Sequence, residues 1–222
     1  MKVFSLNIWF SDYLKTERAQ ILTKYLMEND YDVICLQEAT TQVLAHIYKI
    51  IHTKYPYIHT DIEDDFYGIC IISKSEIKNR EVLKFKNTRM RRCLIKGEIN
   101  DVTFATTHLE SEFGKLANKK IEQFNDCIKV LSLSDKVVFI GDTNLTPKND
   151  EHLNLKDFED IYLKIDKSKD NKYTYDGVKN PLLKNKIRSR IDRAFTKNLE
   201  AKTFDLEKDF IMSDHYGVKI SI

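Results

Sequence analysis

Val137-Val138-Phe139-Ile140-Gly141-Asp142-Thr143-Asn144-Leu145 decides the reading of this chain. An apolar run ends in glycine and two polar residues follow at alternate positions, the pattern of a strand buried on both faces that stops at a functional edge. With period-two geometry Asp142 and Asn144 face the same side, so a carboxylate and an amide stand together at the mouth of a sheet. Four other stretches share the design: Ser5-Leu6-Asn7, Leu36-Gln37-Glu38, Thr107-His108-Leu109-Glu110-Ser111 and Ser213-Asp214-His215. The chain reads as a scaffold that brings these five strand ends together.

Just before the deciding stretch, residues 114–133 give the clearest helix, with Ala117, Ile121, Phe124, Ile128 and Leu131 on one face. Upstream, 66–73, 82–85, 92–99 and 102–107 read as strands with short connections, and Asn100-Asp101 is a two-residue hairpin signal. The first strand runs from Lys2 to Trp9. A helix capped by Thr16 follows, with Ala19, Leu22 and Leu26 on its apolar face and Asn29 as its stop. A strand from Tyr31 to Gln37 precedes a second helix, opened by Thr40 or Thr41 and striped by Val43, Ile47 and Ile50/Ile51. Downstream, 149–165 is irregular or partly helical and 166–171 is a polar loop. The last strands are 190–196, a weaker 202–206, and 216–222. With no linker and no composition break, residues 1–222 read as one domain of mixed sheets with helices outside. Two packed sheets flanked by helices is the expected architecture, and a single open sheet the alternative.

The 222 residues carry a formal net charge of only +2, so no bulk field points to a nucleic-acid partner. The distribution is more telling. Residues 72–100 hold nine Lys/Arg against three acids, and 179–202 hold eight against two, while Asp61-Ile62-Glu63-Asp64-Asp65 is an acidic island. Such runs are either solvated faces or two basic walls for a polyanion. Cys35, Cys70, Cys93 and Cys127 form no C-x-x-C pair and lie in or beside apolar runs, as buried thiols in a reducing compartment do. The N-terminus lacks the pattern of a signal peptide, and no apolar run reaches the roughly 18 residues of a membrane span. The expectation is an intracellular protein, nuclear or cytoplasmic and not secreted, with no membrane partner.

The strand ends carry the chemistry. Glu38 closes a buried strand, where a carboxylate is costly unless it is solvated, paired or bound to a metal. A hard dication that keeps most of its waters needs only one or two such ligands. Asp142 and Asn144 suit holding a water, the carboxylate for its proton and the amide for its direction. Asp214 beside His215 can set the imidazole's tautomer or help to hold it protonated. His108 with Ser111 offers donors to an anion. Each has an ordinary reading too: a surface carboxylate, a turn, a structural Asp-His pair, a satisfied core histidine. Five such ends in otherwise apolar strands make the ordinary reading of all of them together a poor one.

Leu6-Asn7, Leu36-Gln37-Glu38, Thr107-His108, Gly141-Asp142-Thr143-Asn144, Arg190-Ile191-Asp192-Arg193 and Ser213-Asp214-His215 resemble, in order, the motifs of the endonuclease/exonuclease/phosphatase superfamily. Within it, His108-Leu109-Glu110-Ser111, Asp142-Thr143-Asn144-Leu145, Thr88-Arg89-Met90-Arg91-Arg92 and Tyr173-Thr174-Tyr175-Asp176 look most like the tyrosyl-DNA phosphodiesterase 2 family. The resemblance spans the chain. It implies an α/β fold, a four-layer α/β/β/α sandwich with two packed mixed sheets. It also implies Mg²⁺-dependent hydrolysis, with Mn²⁺ as a substitute, of the 5′-phosphotyrosyl bond between DNA and a trapped topoisomerase 2.

In that likeness Glu38 holds the metal and Asn7 bridges metal-bound water and phosphate. Asp142 and Asn144 position and activate the attacking water, and His215, oriented by Asp214, stabilises the transition state. His108 and Ser111 grip the scissile phosphate, and Arg89, Arg91, Arg92 and Tyr175 contact DNA, with Phe66 and Tyr67 as further contacts. Arg190 and Arg193 are expected to be structural partners of nearby carboxylates. Two positions depart from the family: Thr146-Pro147 replaces an arginine, with Lys148 the nearest cation, and Tyr175 stands where tryptophan is usual. The expected partner is DNA bearing a 5′-tyrosyl or peptide adduct, met by a monomer without an amino-terminal ubiquitin-binding module. The alternatives are an abasic-site endonuclease or exonuclease of the same fold, and a DNA- or protein-binding module with a decayed site.

Overall fold

The computed structural model describes residues 1–63, 66–111, 118–166, 168 and 171–222. Two six-stranded mixed sheets pack face to face. The first has the order β13-β14-β1-β2-β4-β3, from β1 (Lys2–Asn7), β2 (Val33–Thr40), β3 (Tyr57–Thr60), β4 (Tyr67–Ser73), β13 (Thr203–Glu207) and β14 (Gly217–Ser221). The second has the order β5-β6-β7-β8-β12-β9, from β5 (Lys78–Lys84), β6 (Cys93–Ile99), β7 (Val102–His108), β8 (Val137–Asp142), β9 (Glu159–Asp160) and β12 (Asp192–Lys197). A small ribbon pairs β10 (Tyr175–Asp176) with β11 (Arg188–Ser189). Each large sheet has one parallel pair, β1/β2 and β7/β8, and antiparallel neighbours around it.

Alternation along the strands sorts the side chains into three cores. Val3, Cys35, Ile71, Ile95, Phe104, Ile140 and Val218 meet between the sheets. Phe4, Leu6, Ile34, Leu36 and Ile72 face outward under α1 (Lys15–Glu28) and α2 (Thr41–Ile51). Leu94, Ala105, Val137, Phe139 and Phe195 face outward under α3 (Asn118–Leu131), which buries Phe124, Cys127, Ile128 and Leu131. This is the four-layer arrangement expected. All four cysteines are buried and unpaired by disulfides, and no described helix is long and apolar enough to cross a membrane.

Local differences have local causes. Thr16 does not cap α1; Leu14, in the left-handed region, holds that place without a side-chain bond. Arg18 explains the entry: its guanidinium, 4% exposed, donates to the carbonyls of Ile8, Trp9, Ser11 and Tyr13 and so winds the preceding loop around itself. Thr40 caps α2 by accepting from Val43 N, and α2 buries Leu44, Ile47 and Ile51 while Ile50 stays exposed. Asn100 and Asp101 both take positive φ, as a type I′ hairpin requires. Strand β3 was not expected. Of the expected helix 114–133, residues 114–117, including Ala117, lie outside the described residues, as do Asp64 and Asp65 of the acidic island and residues 167, 169 and 170 of the polar loop.

Arg190 and Arg193 are structural, as expected. Arg190 Nη1 meets Asp160 Oδ2 at 2.7 Å and Arg193 Nη1 meets Asp150 Oδ1 at 2.7 Å. Asp150 lies on the 3-10 turn Pro147–His152. The Thr146-Pro147 departure thus starts the turn that brings a carboxylate to a buried arginine.

Candidate active site

The parallel pairs of both sheets run in register to one edge. Asn7 ends β1, Gln37 and Glu38 lie on β2, His108 ends β7, Asp142 ends β8, and Asp192 begins β12 opposite Asp142. Asn7, His108, Asp142 and Asp192 continue the inner-face alternation set by Val3, Phe104, Ile140 and Ala194, so they converge between the sheets. One layer below, Gln37 Nε2 donates to Ser5 Oγ at 3.2 Å and to Thr106 Oγ1 at 3.0 Å, joining the sheets under the site.

Alternation alone would turn Glu38 outward, because Gln37 already faces in. A register shift between Leu36 and Ala39, with Glu38 at φ 57°, swings its carboxylate back. Asn7 Nδ2 then donates to Glu38 Oε1 at 3.0 Å and to Asp142 Oδ2 at 2.8 Å. The loop wound by Arg18 supplies Phe10 N to Glu38 Oε2 at 3.0 Å. Gly141 is needed at the neighbouring position: a Cβ there would lie 2.4 Å from the Thr107 carbonyl. Its absence lets β8 close on β7 and sets His108 beside Asp142.

The two histidines take opposite states. Arg92 Nη1 donates to His108 Nδ1 at 2.7 Å, and a guanidinium can only donate, so the ring's proton is on Nε2. Nε2 lies 3.4 Å from Asp142 Oδ2 and 3.8 Å from Glu38 Oε1. Burial, then the charges of Arg92 and His215, hold His108 well below the usual histidine range, so it is neutral. For His215 burial works against the charge, but Asp192, Asp142 and Asp214 outweigh it and hold the ring well above that range. Between them, burial and then Asp192 push the Asp142 carboxyl up to about 7. Asp142 Oδ1 accepts the backbone N–H of Asn144 at 3.0 Å.

The orienting role expected for Asp214 falls instead to Asp192, whose Oδ2 lies 2.8 Å from His215 Nδ1. Asp214 interacts with Ser213, which donates from Oγ to the Asn7 carbonyl at 2.5 Å and accepts from His215 N at 3.2 Å. Burial pushes the Asp214 carboxyl up, and the charge of Glu38 adds to this. Asn144 has a bond that the sequence reading did not foresee. At φ 52° it leaves the strand period, and its Nδ2 donates to Leu109 O at 3.0 Å, so it braces the His108 corner. Arg92 is a further correction: it is 5% exposed, and its guanidinium is committed to His108 and the Tyr67 ring.

The remaining expected contacts lie around this cluster. Ser111 Oγ lies 3.4 Å from Met90 Sδ, at the rim. Tyr175 is set edge-on to His215 at 5.3 Å, and its hydroxyl accepts from Asn185 Nδ2 at 2.9 Å. Phe10, Tyr67 and Phe66 stack in a column, and Arg91 lies 4.4 Å over the Phe66 ring, beside a cavity of about 510 Å³ also lined by Lys84 and Arg92. Arg89 gives its backbone N–H to Glu110. Asp192 and Arg18 are residues of this cluster that the sequence reading did not assign, and Arg92 is one that it assigned to DNA. The only signal for Asp192 was its place in the Arg-Ile-Asp-Arg stretch.

Glu38, Asp142, Asp192 and Asp214 crowd the site with carboxylates, two of them with raised proton affinity. Ligand atoms of Asp142, Asp192 and His215 lie within 4.8 Å of one another. A divalent cation would relieve this repulsion, and hard oxygen donors suit it. His215 fits that role poorly, because the surrounding carboxylates hold its ring protonated and a protonated imidazole has no lone pair to give.

A pH prediction arises here. The folded pKa of His215 is raised above the unfolded value of about 6.5, so its stabilisation is complete below that pH and is lost as pH rises through the folded value. Thermal unfolding of the metal-free protein between pH 6 and 10 is expected to show a fall in midpoint that His215→Gln flattens. Equal slopes would place the charge elsewhere.

Two sheets with paired polar strand ends at a common edge define a class, and the chain belongs to the Endonuclease/Exonuclease/phosphatase family, whose model matches residues 4–215. Its relatives narrow the likeness. It is 33% identical over 156 residues to tyrosyl-DNA phosphodiesterase 2 of Bos taurus, covering 64% of this chain and 42% of that protein. To the Homo sapiens protein of the same name it is 29% identical over 193 residues, covering 80% and 52%. The chain therefore spans about half the length of these relatives. The crystal structure of D. rerio TDP2 complexed with single-strand DNA product superposes with a TM-score of 0.87 at 22% identity, covering 99% of this chain and 97% of that one.

Proposed function

We propose that residues 1–222 act as a single catalytic domain, a Mg²⁺-dependent phosphodiesterase that hydrolyses the 5′-phosphotyrosyl bond joining DNA to a trapped topoisomerase 2. The observation that carries the reading is the placement of Asp142, with its carboxyl near neutrality, between a neutral His108 and a cationic His215. A carboxylate with a pKa near working pH suits taking a proton from water. A fixed imidazolium suits the charge that develops on a phosphoryl group.

In this reading Glu38 holds the cation, with Asp214 close by, and bound Mg²⁺ supplies Lewis-acid polarisation of the phosphate. Asn7, which donates to both Glu38 and Asp142, keeps the metal side and the water side in fixed relation. Asp142 takes the proton of the attacking water. His215, held by Asp192, faces the phosphoryl oxygens, and His108 Nε2–H and Ser111 grip them. A tyrosine phenol has a pKa of about 10, so it leaves without a dedicated acid. Tyr175 and Arg91 offer stacking and charge to DNA on either side. Support comes from the likeness to the two tyrosyl-DNA phosphodiesterase 2 proteins and from the DNA-product complex among the structural neighbours. The protein works as a monomer inside the cell, in nucleus or cytoplasm.

Two oligonucleotides test this in Mg²⁺ and in chelator: one with a 5′-phosphotyrosine, one duplex with an abasic site. Metal-dependent tyrosine release with little abasic cleavage is expected. Abasic cleavage without tyrosine release would overturn the substrate and keep the site. Turnover of neither, with DNA still bound, would favour a binding module.

A further inference from the structure

Glu110 is fully buried, yet none of the roles above uses it. It follows β7 by two residues, in the corner that carries His108. Its Oε1 accepts from Thr88 Oγ1 at 2.6 Å, Arg89 N at 2.6 Å and Met90 N at 3.0 Å. These bonds outweigh burial, which alone would raise the carboxyl, and hold it below its usual range. Thr88 Oγ1, having given its hydrogen to Glu110, accepts from Arg92 N at 2.7 Å. Glu110 N lies 3.0 Å from Gln123 Oε1 on α3, and Gln123 Nε2 donates to Asn87 Oδ1 at 3.2 Å. Residues 87–92 are thus wound around one carboxylate, and the winding ends where Arg92 turns inward to His108.

We propose that Glu110 is a positioning residue: by winding the Thr88–Arg92 loop it seats the Arg92 guanidinium on His108 Nδ1 and so fixes the imidazole proton on Nε2, aimed at Asp142. The chain of contacts is Glu110 to Thr88, Thr88 to the Arg92 backbone, Arg92 to Nδ1. Each link has one directional sense. The carboxylate can only accept, so the Thr88 hydroxyl must donate to it, and its lone pairs are left for Arg92 N. The guanidinium can only donate, so Nδ1 must accept. If the loop is released, Nδ1 loses its enforced donor and the ring can take either tautomer. The Asp142 and Glu38 carboxylates also favour the proton on Nε2, so the freed ring keeps a partial bias toward that form while losing the donor that enforces it. The proposed function uses Nε2–H on the phosphate, so a loss of turnover would follow, but the tautomer itself does not depend on that function.

The test reads the imidazole nitrogens of His108 by ¹⁵N NMR in the metal-free full chain at pH 7.5, with the resonances assigned by their loss in His108→Gln. The wild type is expected to show a single Nε2–H tautomer. Glu110→Ala, and the milder Thr88→Val, are expected to move both nitrogen shifts toward the tautomer average and to cut tyrosine release by about 10- to 100-fold, as removal of supporting partners does around other sites. Ile128→Ala, a core truncation on α3, serves as a control for stability: it is expected to lower the unfolding midpoint and leave the tautomer alone. A folded Glu110→Ala with an unchanged Nε2–H tautomer would overturn the proposal. If Glu110→Ala does not fold, an unchanged tautomer in Thr88→Val would do so. An equal shift in Ile128→Ala would also do so, since the effect would then belong to stability. Wild type without tyrosine release, but with the tautomer shifting as expected, would overturn the substrate reading and leave this one standing.

Discussion

Asp142→Asn is expected to cut tyrosine release from a 5′-phosphotyrosyl oligonucleotide by about 10²- to 10⁴-fold, the range that a positioned acid–base group contributes. The substitution keeps size and removes the only feature the base role needs, a carboxylate able to take a proton. Some geometry is lost as well. Both carboxylate oxygens accept hydrogen bonds, Oδ1 from Asn144 N and Oδ2 from Asn7 Nδ2, so the new amide must set an N–H against one of these donors. Single-turnover kinetics separate the two effects. Loss of the base lowers the chemical rate and leaves substrate affinity nearly constant. A rate within about tenfold of wild type would assign the proton to another group.

The second large effect concerns stability. Asp160→Ala is expected to cost about 3–5 kcal/mol, the range for removing one partner of a buried ion pair. Asp160 is buried and sits 2.7 Å from Arg190 Nη1 and 3.7 Å from Arg193 Nη1. Arg193 is 1% exposed, and its Nε and Nη2 have no hydrogen-bond partner among the described residues. Among the described residues, removal leaves Arg190 with Asp150, at 3.8 Å, as its carboxylate partner. Against a typical total of about 5–15 kcal/mol this is a large fraction. Urea unfolding would show it as a lower midpoint with an unchanged slope. The neighbouring Lys164–Glu159 pair, with side chains 45% and 50% exposed, is the comparison; breaking it is expected to cost no more than about 1 kcal/mol. A cost that small at Asp160 would mean the two arginines are solvated after all.

The contrast between what could and could not be read from the chain follows from range. Asn7, His108 and Asp142 were legible because each ends an apolar strand in phase with the residues before it, a local pattern. Glu38 was legible as a residue, but its direction comes from a left-handed backbone turn that no periodicity reveals. Asp192 was hidden because its meaning lies in the β8–β12 register, fifty residues apart in sequence from Asp142 to Asp192. With Asp214 adjacent to His215 in sequence, the nearer carboxylate in the chain was taken for the nearer one in space. Arg92 read as surface charge because three arginines in a row of four residues look solvated; one of them is recruited inward by an imidazole. The bond from Asn144 to Leu109 O was not legible, since it joins residues 35 apart in sequence. The layers themselves were legible throughout, because they rest on alternation and on one long helical stripe.

No single sheet owns this site. Asn7 and Glu38 come from the first and His215 from the segment leading into its β14, while His108, Asp142 and Asp192 come from the second, and the bonds Asn7–Asp142, His215–Asp192 and Gln37–Thr106 run from one side to the other. Under the proposed function, catalytic competence is therefore a property of the docked pair, comparable to an electrical contact that closes only when two plates meet. A fragment carrying either sheet alone holds half of the proton-transfer circuit, so any loosening of the sandwich would silence the chemistry before the helices or the individual ladders came apart.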